Sequence, residues 1–154
     1  MAKEWAPAPE VEKIAERLIE IFKPELEGFD IQYVFCNENP KKDRREVAGL
    51  CRLIVGLNAY LAGYSGGFFV IETGRPAWDG MNADQRIAYV HHELCHPGLT
   101  EDNNLTLIPH DVEEFNEIAR VHGAYHDGLV TFGHSLQHGN ESSREEIREK
   151  ILNG

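Results

Sequence analysis

The 154-residue sequence lacks any apolar run that reaches the roughly 18 residues needed to cross a membrane. Its first ten residues, MAKEWAPAPE, contain no apolar segment of the kind that a secretory signal requires. The three cysteines, Cys36, Cys51 and Cys95, are few and odd in number, which favours reduced thiols over a disulfide framework. We therefore predict a cytoplasmic protein that makes no membrane contact.

Positive charge is also scarce. There are 15 lysines and arginines against 26 acidic residues, so the formal net charge is -11. Such a balance opposes non-specific binding to nucleic acid, and no nucleic-acid partner is expected. One basic stretch, PKKDRRE at Pro40–Glu46, departs from this trend. Short charge runs usually mark exposed connections, so we interpret it as a solvated loop between two strands.

The sequence contains no internal repeat, low-complexity block or long linker that would divide it. A chain of 17.4 kDa is large enough to bury a core without metal or disulfides. We predict a single domain over residues 1–154, with a flexible tail at residues 1–9 and a peripheral helix within residues 139–154.

Hydrophobic periodicity indicates an α+β fold. Residues 10–23 carry apolar side chains at helical spacing, and Pro24 ends that helix. The stretches FDIQYVFC, EVAGLCRLIV and GGFFVIET have the alternation or β-rich composition of strands. We expect a small sheet of about three strands after an N-terminal helix.

Two further helices follow the strand-rich region. Asn82 is a good N-cap with Gln85 three residues later, and Pro97 and Gly98 end the helix that begins there. The segment HDVEEFNEIARVHG predicts another helix, with Asp111 as its cap and Glu114 completing a capping box. Gly123 is its expected end.

The first of these helices carries an HExxH pattern at its C-terminal end, formed by His92, Glu93 and His96. Imidazoles four residues apart on one helical face can ligate one Zn²⁺, and the adjacent glutamate can act as general base. An open catalytic site needs a third protein ligand. His110 is the best candidate, because the turn-rich PGLTEDNNLTLIP can return the chain to the helix. Glu113 and Glu114 are the alternatives.

The remaining histidines and Cys95 have simpler interpretations. Cys95 is expected to be a small buried side chain, and His91 to be partly buried or to support the ligands. His122 is interpreted as a capping or core residue. The Gly-rich YHDGLVTFGHSLQHG predicts a surface loop. One residue of this region is a candidate donor to a reaction oxyanion: Tyr125, His126, His134 or His138.

The stretches WDGMNADQRIAYVHHELCH and PHDVEEFNEIARVHG together resemble the phage metallopeptidase family, which pairs an HELCH-type helix with a downstream HDVEEF motif. The similarity extends to KPEL and FVIET, and so covers most of residues 14–125. Two departures from the family pattern are His91, where an aliphatic residue or alanine is usual, and Tyr125, where a tryptophan is usual.

The resemblance implies a small zincin-like fold, distantly related to SprT-like and WLM-type peptidases, in a phage-encoded or prophage-encoded protein of a bacterial host. It also implies zinc at His92, His96 and His110, with Glu93 as the base. The expected function is a zinc-dependent metallopeptidase that hydrolyses a protein or peptide through a zinc-activated water. The alternatives are a binding module without proteolysis, and a structural zinc site closed by Glu114, Cys95 or His126.

Overall fold

The computed structural model describes residues 2–154, which form two compact units, one ending at Ile108 and the other beginning at Pro109. Within the described residues, the first unit contains eight strands, four α-helices and one 3₁₀ helix at Pro24–Leu26. The helices are α1 (Pro9–Phe22), α2 (Gly56–Leu61), α3 (Arg75–Asp79) and α4 (Ala83–Leu94). The strands are β1 (Trp5–Pro7), β2 (Ile31–Cys36), β3 (Lys41–Lys42), β4 (Arg45–Glu46), β5 (Gly49–Ile54), β6 (Phe68–Gly74), β7 (Pro97–Leu99) and β8 (Leu105–Leu107). The fold is mixed α and β, as the sequence predicts.

Four strands form the main sheet in the order β1-β2-β6-β5. The central pair β2 and β6 is parallel, with Tyr33 opposite Ile71, while β1 and β5 are antiparallel to their neighbours. Three of these strands are the three that the alternation predicts. The fourth, β1, lies within residues 1–9, where the sequence suggests a flexible tail. This segment pairs with β2, and its two ends at Trp5 and Pro7 lie opposite Cys36 and Val34.

The core of the first unit lies between the sheet and the helices α1 and α4. The apolar stripe predicted for α1 is buried, including Val11 and Leu18. From α4, Val90 and Leu94 are fully buried, and from β6, Phe69 and Ile71 are fully buried. Helix α4 contacts both α1 and β5. The sheet therefore fixes the helix that carries the HExxH pattern.

The second unit contains the helices α5 (Asn116–His122), α6 (Asp127–His138) and α7 (Glu141–Leu152). Helix α7 agrees with the predicted C-terminal helix. Helix α5 begins later than predicted, because Asp111 and Glu114 do not cap it and its N-cap is Phe115. Helix α6 replaces the predicted surface loop. A ring nitrogen of His126 caps it by accepting from the Leu129 N–H.

Within residues 2–154, no helix is both long and apolar enough to cross a membrane.

Candidate metal centre

Helix α4 starts at a complete capping box. The Asn82 side chain accepts from the Gln85 N–H at 2.9 Å, and the Gln85 side chain accepts from the Asn82 N–H at 3.0 Å. The helix buries Ile87, Val90 and Leu94, which leaves His92 exposed. His96 is half-buried just beyond its end, and the rings of His92 and His96 lie 5.3 Å apart. The two imidazoles predicted to share a face are therefore neighbours.

A polar contact and a close approach fix α4 on the sheet. The hydroxyls of Tyr89 and Thr73 are 2.8 Å apart and share a hydrogen bond. A Cβ atom at Gly49 would lie only 1.8 Å from the Tyr89 hydroxyl oxygen, so glycine is required where the tyrosine crosses β5. On its other side, Tyr89 makes an edge contact with Trp78. These contacts set the position of His92 and Glu93 relative to β5.

Glu93 lies on the sheet side of α4 and is only 4% exposed. Burial raises the pKa of Glu93 to about 7, although the nearby charge of Lys42 and a hydrogen bond from the Cys51 N–H act in the opposite direction. A carboxyl group with a pKa near neutrality can both accept and release a proton. Its position beside His92 thus suits acid–base chemistry.

The chain returns to His96 through a short hairpin made by β7 and β8. Pro97 pairs with Leu107, and Gly98 pairs with Thr106. Immediately beyond β8, the Ile108 N–H donates to the His96 carbonyl at 2.6 Å, and His96 Nδ1 lies 2.7 Å from the Ile108 carbonyl oxygen. Because a carbonyl can only accept, this Nδ1 carries the proton. In the neutral ring with this tautomer, Nε2 carries the lone pair that can ligate a metal.

His110 follows Ile108 by two residues, and it completes the cluster. One ligand atom from each of His92, His96 and His110 lies within 4.8 Å of the other two. Nitrogens around a tetrahedral Zn²⁺ with bonds of about 2.0–2.1 Å are about 3.3–3.5 Å apart, a separation compatible with the 4.8 Å limit of this cluster. The three histidines could therefore hold a single metal ion.

A family model described as "Putative phage metallopeptidase" matches residues 3–137 of the chain. The protein belongs to this family. The match is longer at both ends than the motifs indicate, since it includes β1 and most of α6. Comparisons with curated proteins and with solved structures find no match. A metallopeptidase family implies a metal ion, and the histidine cluster offers this family member a place for one.

The alternative ligands considered from the sequence lie outside the cluster. Among residues 2–154, the group that the structure brings together has His92, His96 and His110 as its members, without Glu113, Glu114, Cys95 or His126. The Glu114 carboxylate instead accepts from the Tyr125 hydroxyl at 2.5 Å and from the Phe115 N–H at 2.8 Å.

Some side-chain environments differ from those expected. Cys95 is exposed rather than buried, because it follows the last residue of α4 and does not share the face of Leu94. His122 is exposed in the last turn of α5 and is not a core residue. His91 is half-buried and stacks on Phe22, as expected for a residue with partial burial, and burial together with the charge of Lys23 lowers its pKa.

Two contributors to the site escape sequence reasoning because they act through the backbone. They are the Ile108 carbonyl, which orients His96, and the Cys51 N–H, which contacts Glu93. Every residue has a backbone carbonyl and, except for proline, a backbone N–H, so residue type carries no signal for these contacts. The only pointer to Ile108 is its place two residues before His110.

Proposed function

We propose that this protein is a zinc-dependent metallopeptidase that hydrolyses peptide bonds in a protein or peptide substrate. The convergence of His92, His96 and His110 within 4.8 Å supports this proposal most strongly. Neutral imidazoles suit Zn²⁺, and three protein ligands leave a position open for catalysis. A structural site would need a fourth protein ligand, and no fourth residue belongs to this cluster within the described chain.

In this proposal His96 has a defined tautomer. His96 donates through Nδ1 to the Ile108 carbonyl and binds the metal through Nε2. His92 and His110 complete the ligand set. When bound, Zn²⁺ supplies Lewis acidity, which polarises a scissile carbonyl and promotes the ionisation of a water molecule.

Glu93 is the proposed general base. It takes a proton from the attacking water and then delivers a proton to the nitrogen of the departing amine. Its carboxylate is held by the Cys51 N–H, and its burial keeps the pKa at about 7, close to the working pH of a cytoplasmic enzyme. Assignment to the cytoplasm of a bacterial host is supported by the phage family and by three free cysteines.

The decisive variant is Glu93→Gln, which preserves side-chain shape but removes the proton acceptor. Zinc content should stay at one ion per chain, while turnover should fall by roughly 10²–10⁴-fold. Elemental analysis gives the first quantity, and cleavage of a peptide library or host lysate gives the second. The matched control is Glu113→Gln, which changes an exposed glutamate and should retain both zinc and activity.

The same pair of proteins separates an enzyme from a binding module. A protein captured by zinc-loaded Glu93→Gln and cut by the unmodified protein would identify the substrate. If both forms hold the same partner intact with full zinc, the binding module replaces the peptidase as the function.

A further inference from the structure

The basic stretch interpreted as a solvated loop is an ordered hairpin. Strands β3 and β4 pair with Lys41 opposite Glu46 and Lys42 opposite Arg45. The two residues between them, Asp43 and Arg44, have positive φ angles of 51° and 66°. Two consecutive left-handed residues give the tight turn whose twist suits a two-residue hairpin. We call Lys41–Glu46 the basic hairpin.

The basic hairpin concentrates positive charge in an acidic protein. Four of its six residues are cations, in a chain whose net charge is -11. All six residues are exposed. Across the described residues 2–154, these four cations take part in no ion pair. The hairpin therefore presents cations that are available to a ligand.

The base of the hairpin is anchored next to the strand that contacts Glu93. The Val47 N–H donates to the Pro40 carbonyl at 2.9 Å, which closes the hairpin. The Gly74 N–H then donates to the Ala48 carbonyl at 2.8 Å, directly before β5 begins. In β5, the Cys51 N–H donates a hydrogen bond to the Glu93 carboxylate. The positive charge of Lys42, in the hairpin, acts electrostatically on the same carboxylate.

We propose that the basic hairpin binds acidic side chains of a polypeptide, and so directs acidic segments of the substrate to the His92–His96–His110 site. This inference rests on the proposed peptidase function. A preformed hairpin loses little conformational freedom when it binds, and lysine and arginine form charge-assisted hydrogen bonds with carboxylates. A polypeptide ligand is favoured over nucleic acid because the net charge of the chain opposes a polyanion that needs many phosphate contacts.

The test compares charge-neutralising variants on the zinc-loaded protein. The double variant Lys42→Gln/Arg45→Gln removes two facing cations of the hairpin, and Lys3→Gln/Lys13→Gln removes the same charge from the N-terminal segment and α1. Binding is measured in the Glu93→Gln background with a fluorescent peptide containing several glutamates, its glutamine counterpart, and single-stranded DNA of equal charge. Cleavage is measured with Glu93 intact, using peptide libraries that differ only in their content of acidic residues.

The glutamate peptide should bind more tightly than the glutamine peptide, and added salt should weaken that binding. The hairpin variant should weaken it by roughly tenfold, whereas the control variant should change it by less than about twofold. The ratio of kcat/KM for acidic over neutral peptides should fall by a similar factor in the hairpin variant.

The remaining outcomes separate the hairpin from the peptidase. Equal affinity for both peptides, or equal losses in the two double variants, overturns the role of the hairpin. Tighter binding of DNA that depends on the hairpin overturns it in favour of nucleic acid. Cleavage with no preference for acidic peptides supports the peptidase function and overturns the role of the hairpin. Hairpin-dependent binding without any cleavage keeps the acidic-peptide site and overturns the peptidase.

Discussion

The stretches of chain before and after Ile108 differ most in how much apolar surface they bury. Among residues 2–154, the buried apolar side chains all lie between Ala8 and Pro97, with the single exception of Ile151. In the second unit, large apolar side chains such as Phe115, Val121 and Leu136 are exposed by 66–75%. The first unit is thus stabilised by a core. The second depends more on helix caps and local contacts.

This difference matters for the candidate site because the proposed ligands come from both stretches. His92 belongs to α4, whose opposite face is packed in the core, and His96 follows the end of that helix by two residues. His110 follows the paired hydrogen bonds between His96 and Ile108, and it opens the stretch with little core. A bound metal should therefore add little order to α4 and much more to the residues that follow Ile108.

The largest expected effect is the response to zinc removal. Chelation should abolish activity and raise hydrogen exchange in residues 109–122, while the main sheet, α1 and α4 keep their protection. Metal-linked stability amounts to about 4 kcal/mol at free zinc one thousand times Kd, so the melting temperature should fall without loss of the first unit. Hydrogen exchange followed by mass spectrometry resolves the two stretches. Simultaneous melting of the main sheet would show that the metal is structural for the whole chain.

A pair of glycine substitutions should have opposite signs in the two stretches. In Gly49→Ala the new Cβ would meet the Tyr89 hydroxyl oxygen and, at 2.6 Å, the Glu72 carbonyl oxygen. Because one of these is backbone, the unfolding free energy should fall by about 1–3 kcal/mol or more. A Cβ atom added at Gly133 in α6 would meet no neighbouring group within 4 Å, so Gly133→Ala should stabilise that helix by about 0.5–1 kcal/mol.

Urea denaturation of both variants measures these changes. A neutral Gly49→Ala would mean that α4 is not held closely against β5. The difference in packing between the residues before and after Ile108 would then lose its physical basis.

The same difference in burial explains which helices and strands the sequence predicts correctly. Periodicity predicts α1, α4 and three strands of the sheet, because a buried face imposes a helical or a two-residue period on the apolar residues. After Ile108 the apolar residues are mostly exposed, so periodicity gives a wrong start for α5 and glycine content gives a wrong loop in place of α6. Without a buried face, the pattern carries no constraint on structure.

The residues of the candidate site also differ in how well the sequence predicts their positions. His92 and His96 are four residues apart, at the end of α4 and just beyond it, so local sequence spacing is sufficient to place them together. The approach of His110 depends on pairing between β7 and β8 and on the backbone of Ile108, which are contacts across a turn. The turn-rich composition predicts a return of the chain, but the hydrogen bonds that fix its end are made by backbone atoms.

The last comparison concerns two carboxylates, Glu72 and Glu114, each of which accepts two hydrogen bonds. Glu72 is buried in the first unit and accepts from the Arg52 guanidinium at 2.9 Å and from the Trp5 indole N–H. Burial raises the pKa of Glu72, but the hydrogen bonds from Arg52 and Trp5 outweigh this effect and hold the pKa below its ordinary value. In Glu114, the Tyr125 hydroxyl and the Phe115 N–H lower the pKa, yet this group is in contact with solvent.

Glu72→Gln should therefore lower the unfolding free energy at neutral pH by about 1–3 kcal/mol, because it removes a charge-assisted bond in a buried place. A carboxylate with a depressed folded-state pKa stabilises the protein above its unfolded pKa and loses that effect as pH falls through the folded value. The difference in unfolding free energy between Glu72→Gln and the unmodified protein should then narrow as the pH falls below the ordinary pKa of a glutamate. Glu114→Gln should show no measurable change at any pH, since water replaces what the charge provides. Urea denaturation curves from neutral to acidic pH give the unfolding free energies of both variants. An equal loss of unfolding free energy in Glu72→Gln and Glu114→Gln would show that the two carboxylates contribute equally to stability.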